Sequence, residues 1–181
     1  MKTTILPEND IELHNAFQAI VSNGNFNSCI TDIAELIYND NLNPDSFKEV
    51  LENHDIEKPQ DIKENLLDLL INYIKIVLDD HAITDVEKKN VGLLKLLFKI
   101  KEGDFYKYRY YEIGDILRRQ FKLLYEDNDI SKEEAIYKVE LQDFFDLSYD
   151  QFDLLKENEI RRALSEGADI KDLNTGRIPK Q

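Results

Sequence analysis

The chain has 181 residues, 42% of them hydrophobic, with six Gly, four Pro, one Cys and a formal net charge of -14. That length suits one domain with a sizeable core, and so few breakers argue against a sandwich or barrel, whose many tight turns need them. The excess of acid repels nucleic-acid phosphates and anionic membranes, and favours a basic protein partner or cations.

Residues 10–22 place Leu13, Ala16, Phe17, Ile20 and Val21 at three- and four-residue spacing, one helical face, with Gly24 as the terminator. Ile30, Ile33, Ala34 and Ile37 repeat the pattern, and Cys29 beside them reads as a small buried filler. Asn43 followed by Pro44 predicts a cap and first-turn proline for a helix carrying Phe47, Val50 and Leu51. Residues 62–78 are apolar nearly all round, including Leu66, Leu67, Leu69, Leu70, Ile71, Tyr73, Ile74, Ile76 and Val77. In a soluble chain that marks the central helix; Asp68, Asn72 and Lys75 make it too polar and too short to span a membrane.

Thr84 with Glu87, Ser131 with Glu134 and Ser148 with Gln151 are three capping boxes, each announcing a helix. The first opens a helix carrying Val91, Leu94, Leu97 and Phe98; the second carries Ile136, Val139 and Phe144; the third carries Phe152, Leu155, Ala163 and Leu164. Residues 105–126 read as one long helix despite Gly114, and Gly167 ends the last helix before an aperiodic tail. The prediction is an all-α, single-domain bundle of about seven to eight helices over 1–166, built from antiparallel pairs joined by short acidic turns, with an extended tail over 167–181. Lacking a signal-peptide pattern, a spanning run and a second cysteine, the chain is expected to be cytoplasmic and to insert in no membrane.

Three of the turns share a form: acidic or amide residues, an aliphatic, then a small polar residue opening a helix. They centre on Leu42, Ile83 and Ile130, at spacings that suit stacked helix pairs. The aliphatic reads as a hydrophobic staple. The acids offer hard oxygen ligands for a divalent cation: Asp79, Asp80, Asp85 and Glu87 in one turn, Asp127, Asp129, Glu133 and Glu134 in another. An EF-hand ending at Glu134 is excluded, because its first and third positions would be Leu123 and Tyr125.

An acidic turn with an Ile, then Thr or Ser and a Glu opening the next helix, resembles the TerB-like helical family of tellurite resistance over roughly residues 62–164. The resemblance implies antiparallel helices in paired repeats and acidic turns associated with divalent cations. That family commonly has Asp-Gly in the turn, whereas His81 and Asn128 follow the acid here. The departure bears on the metal more than on the fold, since a backbone approaches a cation less freely without Gly.

His14, His54 and His81 are far apart and read as satisfied surface histidines, and there is no phosphate loop, nucleophile elbow or paired-Cys motif. An enzyme is therefore not expected, and no cofactor is implied beyond the cation considered above. The segment 88–122 carries ten Lys or Arg against four acids, and within it Phe105-Tyr106-Lys107-Tyr108-Arg109-Tyr110-Tyr111 interleaves aromatic and basic residues. Tyr106, Lys107, Tyr108, Arg109, Tyr110, Arg118 and Arg119 are the candidate binding residues. The packing alternative puts Phe105, Tyr108 and Tyr111 or Glu112 inward, with Lys107 and Arg109 outward. The overall charge disfavours nucleic acid as a ligand. The expected function is an acidic protein-interaction module that docks a basic protein partner, as acidic immunity-type inhibitors of toxins do; the alternative is a cation-binding stress-response protein of TerB-like kind.

Overall fold

A computed structural model of the protein describes residues 11–23, 26–124 and 132–167. Among these residues are eight α-helices and no strand, as the all-α reading expected: α1 (Ile11–Asn23), α2 (Ser28–Tyr38), α3 (Pro44–Asn53), α4 (Lys63–Val77), α5 (Asp85–Phe98), α6 (Asp104–Leu124), α7 (Lys132–Phe144) and α8 (Tyr149–Ser165). Length argued for one domain over 1–166. The helices gather into two compact units, Met1–Lys101 and Glu102–Gln181, divided at a turn where Lys99 and Gly103 both take left-handed backbone.

In the first unit α4 is the core, as its composition predicted. Leu66, Leu67, Leu69, Leu70, Ile71, Tyr73, Ile74 and Val77 are buried, and α4 packs on α1, α2 and α5. Ile76 departs from the all-round apolar reading: it is 41% exposed, because Asp68, Asn72 and Lys75 mark a polar side of the helix and Ile76 shares it. Leu13, Ala16, Phe17 and Ile20 of α1 and Ile30, Ile33, Ala34 and Ile37 of α2 close over it, with Phe17 and Tyr73 rings 5.5 Å apart. Phe47 of α3 meets Phe98 of α5 at 5.7 Å. Asn90 is wholly buried and donates to the Tyr73 hydroxyl at 3.4 Å, a polar contact within an apolar surround.

The predicted caps at Asn43, Thr84 and Ser148 are formed. Asn43 accepts from the amides of Asp45 and Ser46, with Pro44 in the first turn. Ser148 and Gln151 exchange bonds at 3.0 and 3.3 Å. Ser131, Ile130, Gly24 and the tail 168–181 lie outside the described residues. Gly167 closes α8 with φ of +107°, as expected of a terminating glycine.

The second unit is organised by α6, which packs on α8 closely enough that a Cβ on Gly114 would sit 3.5 Å from Leu155 Cδ2. Phe121 meets Phe152, and Phe105 meets Phe145, both edge-on. Gln120 accepts from the Tyr137 hydroxyl at 2.8 Å, tying α6 to α7. One expectation fails here. Ile136 and Val139 are 51% and 56% exposed, and α7 instead buries Tyr137, Lys138, Leu141 and Phe144. The larger ring and leucine set lies a fraction of a turn from the β-branched pair, and burial follows the larger apolar area. The long helix expected despite Gly114 is present as α6, Asp104–Leu124, and it carries a bend at Arg109 (φ -135°, ψ 32°) that the sequence did not announce.

Candidate functional site

The two helices α2 and α3 pack side by side as a hairpin, and their solvent positions are acidic. Asp32, Glu35, Asp40, Asp45, Glu49, Glu52, Asp55 and Glu57 are all exposed, and Lys48 is the one Lys or Arg among 28–57. The stretch carries -7 of the -8 borne by residues 1–101. Helical periodicity explains the sorting: positions 28, 32, 35 and 39 of α2 form one solvent stripe, while 30, 33, 34 and 37 form the core stripe. In α3, 45, 48, 49 and 52 face water while Phe47 and Leu51 face inward.

His54, just past the end of α3, bonds through Nε2 to Asp32 Oδ2 of α2 at 2.6 Å and staples the hairpin. Lys48 pairs with Glu52 at 3.1 Å on the surface. Cys29 beneath Asp32 is buried, and burial first, then the Asp32 carboxylate, push its thiol pKa up, in keeping with an inert filler.

The basic aromatic segment is rearranged by the bend in α6. Tyr106 and Tyr110 stack edge-on at 5.0 Å, and Tyr110 meets Tyr111 at 5.3 Å. Arg109 turns its guanidinium onto the Tyr108 carbonyl at 2.8 Å, and Lys107 lies over the Tyr108 ring at 4.6 Å. A hydrogen bond with the Tyr108 side chain is the main reason the Lys107 pKa stands above its ordinary value. Phe105 is buried as the packing alternative held, but Tyr111 is 85% exposed rather than inward. It opens an exposed stripe with Asp115, Arg118, Arg119 and Lys122; Arg118 pairs with Asp115 at 2.6 Å. Tyr111 is thus the aromatic that keeps company with Arg118 and Arg119, and an unbroken helical wheel conceals it.

The acids of the turn after α4 are largely engaged in shaping it. Glu87 Oε2 accepts from the Thr84 amide and hydroxyl at 2.7 and 2.8 Å, Asp80 Oδ1 accepts from the Ala82 amide at 3.0 Å, and Asp85 pairs with Lys88 at 3.2 Å. His81 adopts φ of +61° in this turn, and Ile83 is half-buried. Asp127 and Asp129 lie outside the described residues, as does the side chain of Glu133; Glu134 is half-buried on α7. Among the described residues no three of His, Cys, Asp and Glu converge as metal ligands would.

The first unit also holds a cleft of about 790 Å³ between the α1–α2 connection and the polar side of α4. Ile20, Phe26 and Ile76 give it apolar walls, and Asn23, Asn27, Asn65, Asn72, Asp68, Lys75 and Asp79 give it polar ones. Asn27 accepts from the Ile30 amide at 3.0 Å as the cap of α2, and Asn72 donates to the Asp68 carbonyl at 2.8 Å. Nothing in the sequence pattern assembled these residues, because three elements contribute them at no fixed spacing.

No protein-family model, no curated protein and no solved structure matches the chain. Among the described residues no helix is long and apolar enough to cross a membrane.

Proposed function

We propose that the protein is a non-enzymatic interaction module whose acidic α2–α3 hairpin docks a basic surface of a protein partner, in the manner of an immunity-type inhibitor. The observation that carries this reading is the sorting of eight exposed carboxylates, against a single lysine, onto one hairpin. A field concentrated in this way steers a cationic partner into encounter and makes the association rate fall with salt. The helices that hold the hairpin in place bury their apolar stripes elsewhere, so docking needs no rearrangement of the core.

The test is recovery of a partner from the native host with immobilised full-length protein, followed by kinetics on that partner. Triple reversal Glu35→Lys, Glu49→Lys and Glu52→Lys is expected to slow association by about tenfold or more at low salt, with little change in dissociation. No recoverable partner, or an association rate indifferent to both salt and reversal, defeats the proposal.

A second reading, a TerB-like divalent-cation protein, draws support from the turn after α4. His81 there takes the left-handed backbone that glycine favours, at the position where that family commonly has glycine. Calcium titration of chelator-treated protein tests it: a thermal stabilisation abolished by Asp80→Asn supports the reading, and no stabilisation at millimolar ion removes it.

A further inference from the structure

We infer that the basic, aromatic outer stripe of α6 takes the acidic α2–α3 hairpin of a second copy of this chain, an inference that rests on the reading of the hairpin as a dock for a basic protein surface. The stripe follows one side of the helix. Tyr111, Asp115, Arg118 and Lys122 are exposed at intervals of four, three and four residues, and Arg119 is exposed beside them. Tyr111 stands 85% in solvent, and its edge-on contact with Tyr110 extends the ring surface toward Tyr106 and the bend.

Tyrosine and arginine are the side chains that carry most of the energy in protein interfaces, because a ring or a guanidinium buries much area and still makes directed bonds. The charge of the stripe selects what it meets. Arg118 is held by Asp115 at 2.6 Å, and Arg119 and Lys122 add two further exposed cations within one turn of it. The hairpin offers the converse. Beyond Asp32, bonded to His54, and Glu52, paired with Lys48, it exposes Glu35 on α2 and Asp45 and Glu49 on α3. Those two helices pack side by side, so a helix laid along them meets carboxylates from both.

Both surfaces belong to one chain, so each is present wherever the other is, and in equal amount. Their contact joins two different patches, which makes it heterologous. A net charge of -14 sets the copies against each other at long range. At physiological salt, charges further apart than about 8 Å are largely screened, whereas pairs in contact are screened much less. The consequence for the hairpin is competition: a second copy covers the surface that a foreign basic partner needs, so that partner has to displace it.

The experiment is sedimentation equilibrium on full-length protein at physiological salt, over about 0.01–1 mM chain. The mass is expected to rise with concentration, and to fall back to that of the monomer at about 1 M salt. Reversing the stripe with Arg119→Glu and Lys122→Glu, or the hairpin with Glu35→Lys and Glu49→Lys, is expected to weaken association by about tenfold or more. A chain carrying all four reversals, and an equimolar mixture of the two double variants, should both recover it, which unfolded variants could not do. Tyr111→Ala leaves every charge in place and should weaken association by about fivefold. A monomer at every concentration, association untouched by the stripe reversal, or reversals rescued in neither form overturns the inference. Capture of a single-stranded oligonucleotide by the stripe of a chain that stays monomeric overturns it too. A monomer whose hairpin still binds a foreign basic partner in a salt-dependent way leaves the docking reading standing; rescued self-association with no foreign partner recovered does the reverse.

Discussion

Lys138 lies within α7 with 8% of its surface exposed, on the face that also buries Tyr137 and Leu141. Burial first, and then the neighbouring Lys156 ammonium, lower its pKa from the ordinary lysine value, while Asp153 works the other way and is itself ion-paired with Lys156. Below its lowered pKa the lysine is charged in both folded and unfolded chains, and the folded state bears the full cost of burying it. As pH rises from that pKa toward 10.5, the folded protein sheds the proton first, so stability recovers. Lys138→Met is therefore expected to raise Tm at neutral pH, by an amount that shrinks as the pH approaches 10.5; a pH series of thermal melts checks both parts. Cys29 supplies the opposite prediction. With its thiol buried and its pKa raised, labelling by a disulfide reagent at pH 7 is expected to be limited by opening of the first unit, and Phe17→Ala should accelerate it.

Helix ends divide into those the sequence announces and those it hides. Starts are legible because they require particular side chains: Asn43, Thr84 and Ser148 each make the bonds that their spacing predicts. Thr84→Ala should cost about 1 kcal/mol in chemical denaturation, the usual loss of a cap. Ends are hidden because glycine is their signal and four of them do without it. Asp40, Asp55, Lys99 and Asp146 all take left-handed backbone. In each case the next residue's amide bonds back five positions, to Leu36, Leu51, Lys95 and Gln142 respectively. These are Schellman closures, with Ile56, Ile100 and Leu147 supplying the apolar residue that follows. Asp55→Gly should stabilise the protein by roughly 0.5–1 kcal/mol in chemical denaturation, since it relieves the left-handed penalty of a non-glycine residue there. The bend at Arg109 escapes the sequence for a related reason: the residue is an ordinary helix former, so nothing local marks the break that turns Tyr111 outward. The exposed Ile136 and Val139 show a third limit, because apolar periodicity proposes more than one face and only tertiary packing chooses.

Over the whole chain, fold class was legible from few breakers and strong apolar periodicity, whereas the net charge of -14 motivates the proposed cationic partner without identifying it. What composition does not reveal is that residues 28–57 hold nearly all the net charge of the first unit on one exposed hairpin. Like charges gathered so closely repel one another as well as attract a partner. Raising ionic strength from a few millimolar to physiological salt is expected to raise Tm, and neutralising Glu35, Glu49 and Glu52 to Gln should remove most of that rise; melts across a salt series decide it. The same salt that stabilises the unbound protein weakens the proposed docking, so the two responses run in opposite directions and are easily told apart.

The inward positions of α2 and α3 are Cys29, Ile30, Ile33, Ala34, Ile37, Phe47 and Leu51, and none of them lies on the acidic stripe. Selection can therefore act on the two faces separately. Under the proposed docking, the outer residues of this hairpin are free to diverge with a changing counterpart while the inner ones hold still, and relatives of this chain should be recognisable by the buried half of each helix long after the water-facing half has been rewritten.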